Sequence, residues 1–396
     1  MKIKVILSIV FNLASQIIMF FFIPYLGRLK GVDYVGDYAA VVSIGSFLGT
    51  IFILRSELVV INKDNAHSNS NMFVCLCFSL LVFILVTVLS NINYGLFSYG
   101  FFLLLLTQVY LSNLKMYAVS AMVKLLSSLL FVSFFFIFYD CENASLLQAL
   151  SMVIISLLVI LRKRTEIFNM DFISTSVFTR FVLQSKFYVK YTFPNTIIAA
   201  AISYMTPLAI LYIFGQYESG VFFMLFKLMM APVTIVGLSV GQIVRKEFTF
   251  NKGEELLVWV KYKKLLSLLV LSSFFYMLFF YFIMENYIEL ILSSDWSLLR
   301  DIYHFFMLVP VIMIVFVPLS QIYMTMNKQK YDLIFQFFGL ISTSFLFLVS
   351  GYYKLTLNEF LLYYSSLLFI MYFSSIIFLT FRVVKPKCFK PDLKTF

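Results

Sequence analysis

Runs of about 20 mainly apolar residues follow one another almost without pause along this chain, and a helix of that length is what crosses the hydrocarbon of a bilayer. Nothing else in the sequence constrains the fold as much. Reading apolar runs between polar breaks places spans at roughly 5–27, 38–61, 72–90, 96–114, 117–138, 145–161, 192–214, 219–243, 264–284, 302–326, 331–352 and 357–380. In lipid every backbone N–H and C=O must find a partner within its own segment, so such runs are expected as helices. Of the 396 residues 62% are hydrophobic and 12% charged, which leaves no stretch for a soluble catalytic domain. The expected fold class is an all-α polytopic membrane protein: twelve transmembrane helices in two six-helix lobes, with a central cleft that opens outward or inward.

The net charge of +11 could suggest a nucleic-acid partner, but its distribution argues otherwise. Of the 30 lysines and arginines, Arg28, Lys30, Arg300 and Lys354 fall on the side opposite the termini, and Lys227 falls on neither; all the others lie on the side of the termini. The acidic residues divide almost evenly, so the asymmetry belongs to the basic ones, as the positive-inside rule requires. Both termini are expected in the cytoplasm, with membrane lipids rather than nucleic acid as the partner of the charge. The longest gap between spans gives the expected organisation: a six-helix lobe at 1–161, a basic cytoplasmic linker at 162–191, a second six-helix lobe at 192–380 and a basic cytoplasmic tail at 381–396. The opening "MKIKVILSIVFNLASQ" reads as a retained first span, because apolar sequence continues without a small-residue cleavage site. Cys75, Cys77, Cys141 and Cys388 are not spaced as a zinc site, and the chain has two histidines, so no metal and no cofactor is expected.

Residues 31–38 read "GVDYVGDY" and residues 215–222 read "GQYESGVF". Both are Gly-x-x-x-x-Gly-x-aromatic, both are expected in the loop before the second span of a half, and each follows a proline, Pro24 or Pro207. Neither has Lys-Ser or Lys-Thr after its second glycine, so neither is a phosphate-binding P-loop. An even number of spans per half makes the halves parallel repeats, and the cleft between them the expected transport path.

Three stretches resemble a known family. "YLGRLKGVDYVGDYAAVVSIGSFLGTIFILRSEL" is similar to its first loop and second span, closing on an Arg-x-Glu, here Arg55 and Glu57. "FPNTIIAAAISYMTPLAILYIFGQYESGVFFMLFKLMMAPVTIVGLSVGQIV" follows its Gly-x-aromatic start, basic residue and proline five positions later. "DWSLLRDIYHFFMLVPVIMIVFVPLSQIYMTMNKQK" resembles its tryptophan, Pro-Leu-Ser-Gln and Lys-Gln-Lys block. The family is the O-antigen flippase (Wzx-type), or polysaccharide-exporter, branch of the multidrug/oligosaccharidyl-lipid/polysaccharide exporter superfamily. Spans three to six and twelve share only hydropathy with it. The resemblance implies a flippase that moves a polyprenyl-pyrophosphate-linked oligosaccharide across the bacterial inner membrane by alternating access, for O-antigen or capsule. A polysaccharide polymerase and a chain-length regulator are the partners such a pathway implies.

Carrying a pyrophosphate through hydrocarbon requires fixed positive charge and neutral hydrogen-bonding groups in a water-lined cleft. The candidate substrate-binding residues are Lys227, Lys124, Arg55, Arg28, Gln16 and Asn12. Lys227 lies about 13 Å from the outer end of its helix, counted from Glu218. Lys124 reaches a similar depth from the other side, and Arg55 lies in the inner half of span two. Asn12 and Gln16 share a face of span one, and Arg28 stands at its outer end. Each has a plainer reading: lysines snorkel to the interface, Arg55 and Glu57 form separate interfacial pairs, and Asn12 and Gln16 bond neighbouring helices. His304, beside Arg300 and Asp301, reads as interfacial. No Asp or Glu sits at the centre of a span, which weakens a carboxylate relay as the drive and leaves the membrane potential as a partial one. No catalytic residue is expected. A polymerase or transferase would need a large outward loop or a positioned base, and neither is present. An ion-coupled exporter of small compounds from the same superfamily remains the alternative.

Overall fold

A computed structural model describes residues 2–53, 60, 65–139, 143–167, 179, 181–183, 193–250, 255–286, 296–326 and 328–384. Arg55 and Glu57, most of the 162–191 stretch and the tail from 385 onward lie outside the described residues. Twelve long helices follow in order: α1 Lys2–Lys30, α2 Val32–Ile53, α3 Asn65–Leu89, α4 Ile92–Asn113, α5 Tyr117–Ile137, α6 Ala144–Arg162, α7 Phe193–Ile213, α8 Gln216–Phe250, α9 Glu255–Asn286, α10 Leu308–Thr325, α11 Gln329–Tyr353 and α12 Leu357–Phe378. All twelve are long and apolar enough to cross a membrane, and no strand occurs among the described residues. The chain is an all-α multi-pass membrane protein. Its helices turn large apolar side chains to their surroundings, as α9 does with Phe274, Phe275, Phe279 and Phe282, which suits lipid on that face.

The ends of the helices depart from the hydropathy reading in one consistent way. The two glycine patterns are helix, not loop. Gly31 (φ +95°) and Gly215 (φ +120°) separate α1 from α2 and α7 from α8, and in each case the next helix begins at the following residue. A left-handed glycine ends a helix without a Cβ penalty. Asp33 and Glu218 then fall in the first turns of α2 and α8, where their charge suits the helix dipole. Polar side chains suggested a loop, but in a helix start they are favourable. Other ends obey local chemistry as well: Thr356 and Glu359 form a reciprocal capping box that starts α12.

Contacts divide the chain into two compact units, Met1–Lys227 and Leu228–Phe396. In the first, α1 packs on α5, α2 on α4 and α7, and α4 on α3 and α6. Its aromatic core sets Phe22 edge-on to Phe131 and Phe135, with Leu26 and Val35 buried as well. A second cluster joins Met72 of α3 with Leu103, Leu106 and Tyr110 of α4, and takes in Ile167 and Phe181 from the expected linker. Ile167 and Phe181 of that linker therefore pack as core, while Val182 and Leu183 beside them are exposed.

In the second unit α12 packs on α10, on α11 and on the short helix Ser297–Phe306, while α9 packs on α10. Pro232 within α8 removes one backbone donor, and the Tyr276 hydroxyl donates to the nearby Met229 carbonyl at 2.7 Å. At the far end of α9, Glu285 accepts from the Tyr303 hydroxyl (2.8 Å) and from Arg300 (3.4 Å), and His304 Nε2 lies 3.1 Å from its carboxylate. Burial and the Glu285 carboxylate hold the Tyr303 phenol protonated well above the usual tyrosine range.

Candidate anion-binding site

Lys227 occupies a helix that is otherwise packed: residues Val221 to Leu225 and Leu228 and Met229 are all buried, while Lys227 is exposed. Lys227 and Lys124 belong to the same unit, and their charges oppose one another. Side chains on a helix lean toward its N-terminus, and the Lys227 ammonium sits 5.0 Å from the centroid of the Phe223 ring, one turn back. That level is still about 7.5 Å along the helix from Glu218. The side chain thus ends in contact with Phe223, short of the helix end that snorkelling would require.

Lys124 is half-buried on α5, the helix that α1 packs against. Its main-chain carbonyl accepts from Ser128 (3.2 Å) and from Ser15 of α1 (3.5 Å), and the two hydroxyls are 2.7 Å apart. This serine pair fixes the register of α1 against α5 at the level of the lysine. Gln16 follows Ser15 and is half-buried. Asn12 lies one turn earlier and donates from Nδ2 to the Ser8 carbonyl of its own helix at 2.9 Å. The sequence-derived set thus separates: Lys124 sits beside the Ser15–Gln16 part of α1, and Lys227 rests against Phe223 of its own helix. Arg28 lies about 18 Å further along α1, exposed, near the end where Lys30 stacks over Tyr139 at 4.5 Å. Arg55 lies outside the described residues. Neither Lys124 nor Lys227 forms an ion pair among the described residues.

The environment of Lys227 is built by α2. Phe223, 3% exposed, meets the ring of Tyr38 edge-on at 6.0 Å. The Tyr38 ring stacks on Phe131, and its hydroxyl donates to Gln148 Oε1 at 2.7 Å. That approach depends on glycine. A Cβ on Gly36 would stand 2.2 Å from the Gln216 carbonyl oxygen, and one on Gly220 would stand 2.5 Å from the Val32 carbonyl oxygen. Beside this contact Gln216 donates to Asp37 at 2.9 Å. The second glycine of each repeated pattern is thus where α2 and α8 touch through their backbones.

One polar cluster escaped the sequence reading. In the second unit Asp332, 8% exposed, begins α11, with Gln336 one turn on and similarly buried. Its charge reaches the hydroxyls of Tyr323 and Tyr372. Tyr323 donates to the Ser375 carbonyl (2.8 Å), and the hydroxyls of Tyr262 and Thr380 share a hydrogen bond. The visible signal is the spacing in "DLIFQ", an acid and an amide four apart at the head of an apolar run.

No protein-family model matches the chain, and no curated protein matches it. Solved structures do. The class they define is the fold of MATE transporters of the MOP superfamily: an inward-facing multidrug resistance MATE transporter is similar at a TM-score of 0.61 and 13% identity, covering 94% of this chain and 93% of its own. The MATE multidrug transporter DinF-BH is similar at 0.63 and 13%, over 95% and 92%. Among particular proteins, the lipid II flippase MurJ in an inward closed conformation is similar at 0.65 and 14% identity, over 95% and 87%. At these identities the likeness is one of fold.

Proposed function

We propose that the chain is a flippase for a polyprenyl-pyrophosphate-linked oligosaccharide. It would act in the bacterial inner membrane, with both termini cytoplasmic, in the synthesis of O-antigen or capsule. One observation carries this reading: Lys227 stands in a membrane span, held against the Phe223 ring at 5.0 Å and without an ion pair among the described residues, and Lys124 stands in another span of the same unit. Two ammonium groups so placed repel, and each is costly to hold in hydrocarbon. A pyrophosphate relieves both costs, because it accepts from both lysines and supplies the missing charge. The likeness in fold to a lipid II flippase supports the same substrate class. Movement of the anionic headgroup between the faces of a central cleft would be drawn outward by the membrane potential, at about 2.3 kcal/mol per charge per 100 mV. The likeness in fold to transporters and a flippase argues for transport rather than an enzyme.

A second reading, an ion-coupled exporter of small compounds, is favoured by the buried Asp332, since a carboxylate in such a place is a natural carrier of a cation or proton. The two readings part on the sign of the cargo. The test is complementation of a flippase-null strain. The chain should restore surface polysaccharide, Lys227→Ala should lose it and Lys227→Arg should partly keep it. Full activity of Lys227→Ala would remove the anion-binding role, and extrusion of a small cation without restored polysaccharide would favour the exporter.

A further inference from the structure

We propose that Phe223 is a positioning residue for Lys227, and that Tyr38 of α2 completes its hold, so that the strength of anion binding depends on the contact between α2 and α8. This rests on the reading of Lys227 as a contact to the pyrophosphate. A lysine has a flexible four-carbon stem, and a lone one in a span has many rotamers. The Phe223 ring, 5.0 Å from the ammonium, selects one of them. It does so by the attraction of a cation for the negative face of a ring, which leaves the charge uncancelled and the three N–H donors available. A carboxylate partner would hold the ammonium more firmly but would compete with the phosphate for it. An aromatic ring positions the lysine without neutralising it.

The ring is itself held. Phe223 and Tyr38 are 3% and 4% exposed, so neither has room to turn. Tyr38 is fixed on one side by stacking on Phe131 of α5 and at its hydroxyl by Gln148 of α6. It stands two residues beyond Gly36, where the two backbones touch. The path from ammonium to Phe223 to Tyr38 therefore crosses from α8 to α2 only where these helices are in contact. When they part, Phe223 loses the ring that steadies it, and the ammonium loses its fixed place. Release of the anion is then tied to the same movement that separates α2 from α8.

The test uses the full chain in lipid nanodiscs and farnesyl pyrophosphate as the probe. Mono-, di- and trifluorophenylalanine at position 223 keep the shape of the ring while draining charge from its face. Affinity should fall stepwise along the series, by about two- to thirty-fold in total, with the melting temperature unchanged. Phe223→Leu should match the end of the series. In a Lys227→Gln background the series should be flat, and Tyr38→Leu should weaken binding while Lys227 is present and have no effect when it is absent. A flat series in the unmodified background, with Lys227→Gln still weakening the probe, overturns the positioning role and leaves the functional reading standing. Unchanged affinity in Lys227→Gln overturns both.

Discussion

Under the proposed function Lys124 and Lys227 meet one anion, and the effects of removing them should not add. If Lys124 and Lys227 share one phosphate group, the loss of either should weaken farnesyl pyrophosphate binding by about tenfold or more. The loss of both should cost clearly less than the sum, because each single change also relieves the repulsion between them. Additivity within about 0.5 kcal/mol in a double-mutant cycle would show two independent lysines. Lys227 was legible in the sequence because topology counting leaves one basic residue without a side. Its partner ring was half legible. Phe223 stands at the right spacing, but so do other apolar residues, and only the approach of α2 selects it. Asp332 was not legible as buried, because an acid in the first turn of a helix ordinarily faces water and complements the dipole. Its burial is a product of tertiary packing, which the local sequence does not encode.

At the scale of elements, hydropathy found all twelve helices because length and apolarity are what a bilayer demands. It misplaced the starts of α2 and α8, since the same polar residues that suit a loop also suit a first turn. The consequence reaches function, because the second glycine of each pattern becomes a point of helix contact rather than a turn. Gly36→Val and Gly220→Val should each force the α2 and α8 backbones apart, a carbonyl oxygen lying within 2.2 and 2.5 Å of the new Cβ. Both should abolish restored surface polysaccharide in the flippase-null strain. Gly351→Val in α11, where nothing lies within 4 Å, is the matching control and should keep it. Equal loss in all three would point to a general intolerance of valine in these helices.

Over the whole molecule, an even number of spans returns the chain to the side on which it began, and a cycle of exposure to the two faces is the expected mode of transport. The Gln216–Asp37 hydrogen bond gives a handle on that cycle. Joining Asp37→Cys to Gln216→Cys with a short thiol cross-linker that a reductant cleaves should hold α2 against α8. Such a protein should keep its affinity for farnesyl pyrophosphate, lose flipping in proteoliposomes and regain it on reduction. Flipping undiminished in the linked form would mean that this contact does not open during transport. The glycine contact also bears on temperature. Where backbone touches backbone little apolar surface is covered, but parting α2 from α8 would also uncover the Phe223 and Tyr38 rings, which are 3% and 4% exposed as they stand. Apolar exposure raises heat capacity and polar exposure lowers it. Opening there should therefore raise heat capacity, so that its enthalpy, and with it the slope of its equilibrium with temperature, differs between a cold cell and a warm one.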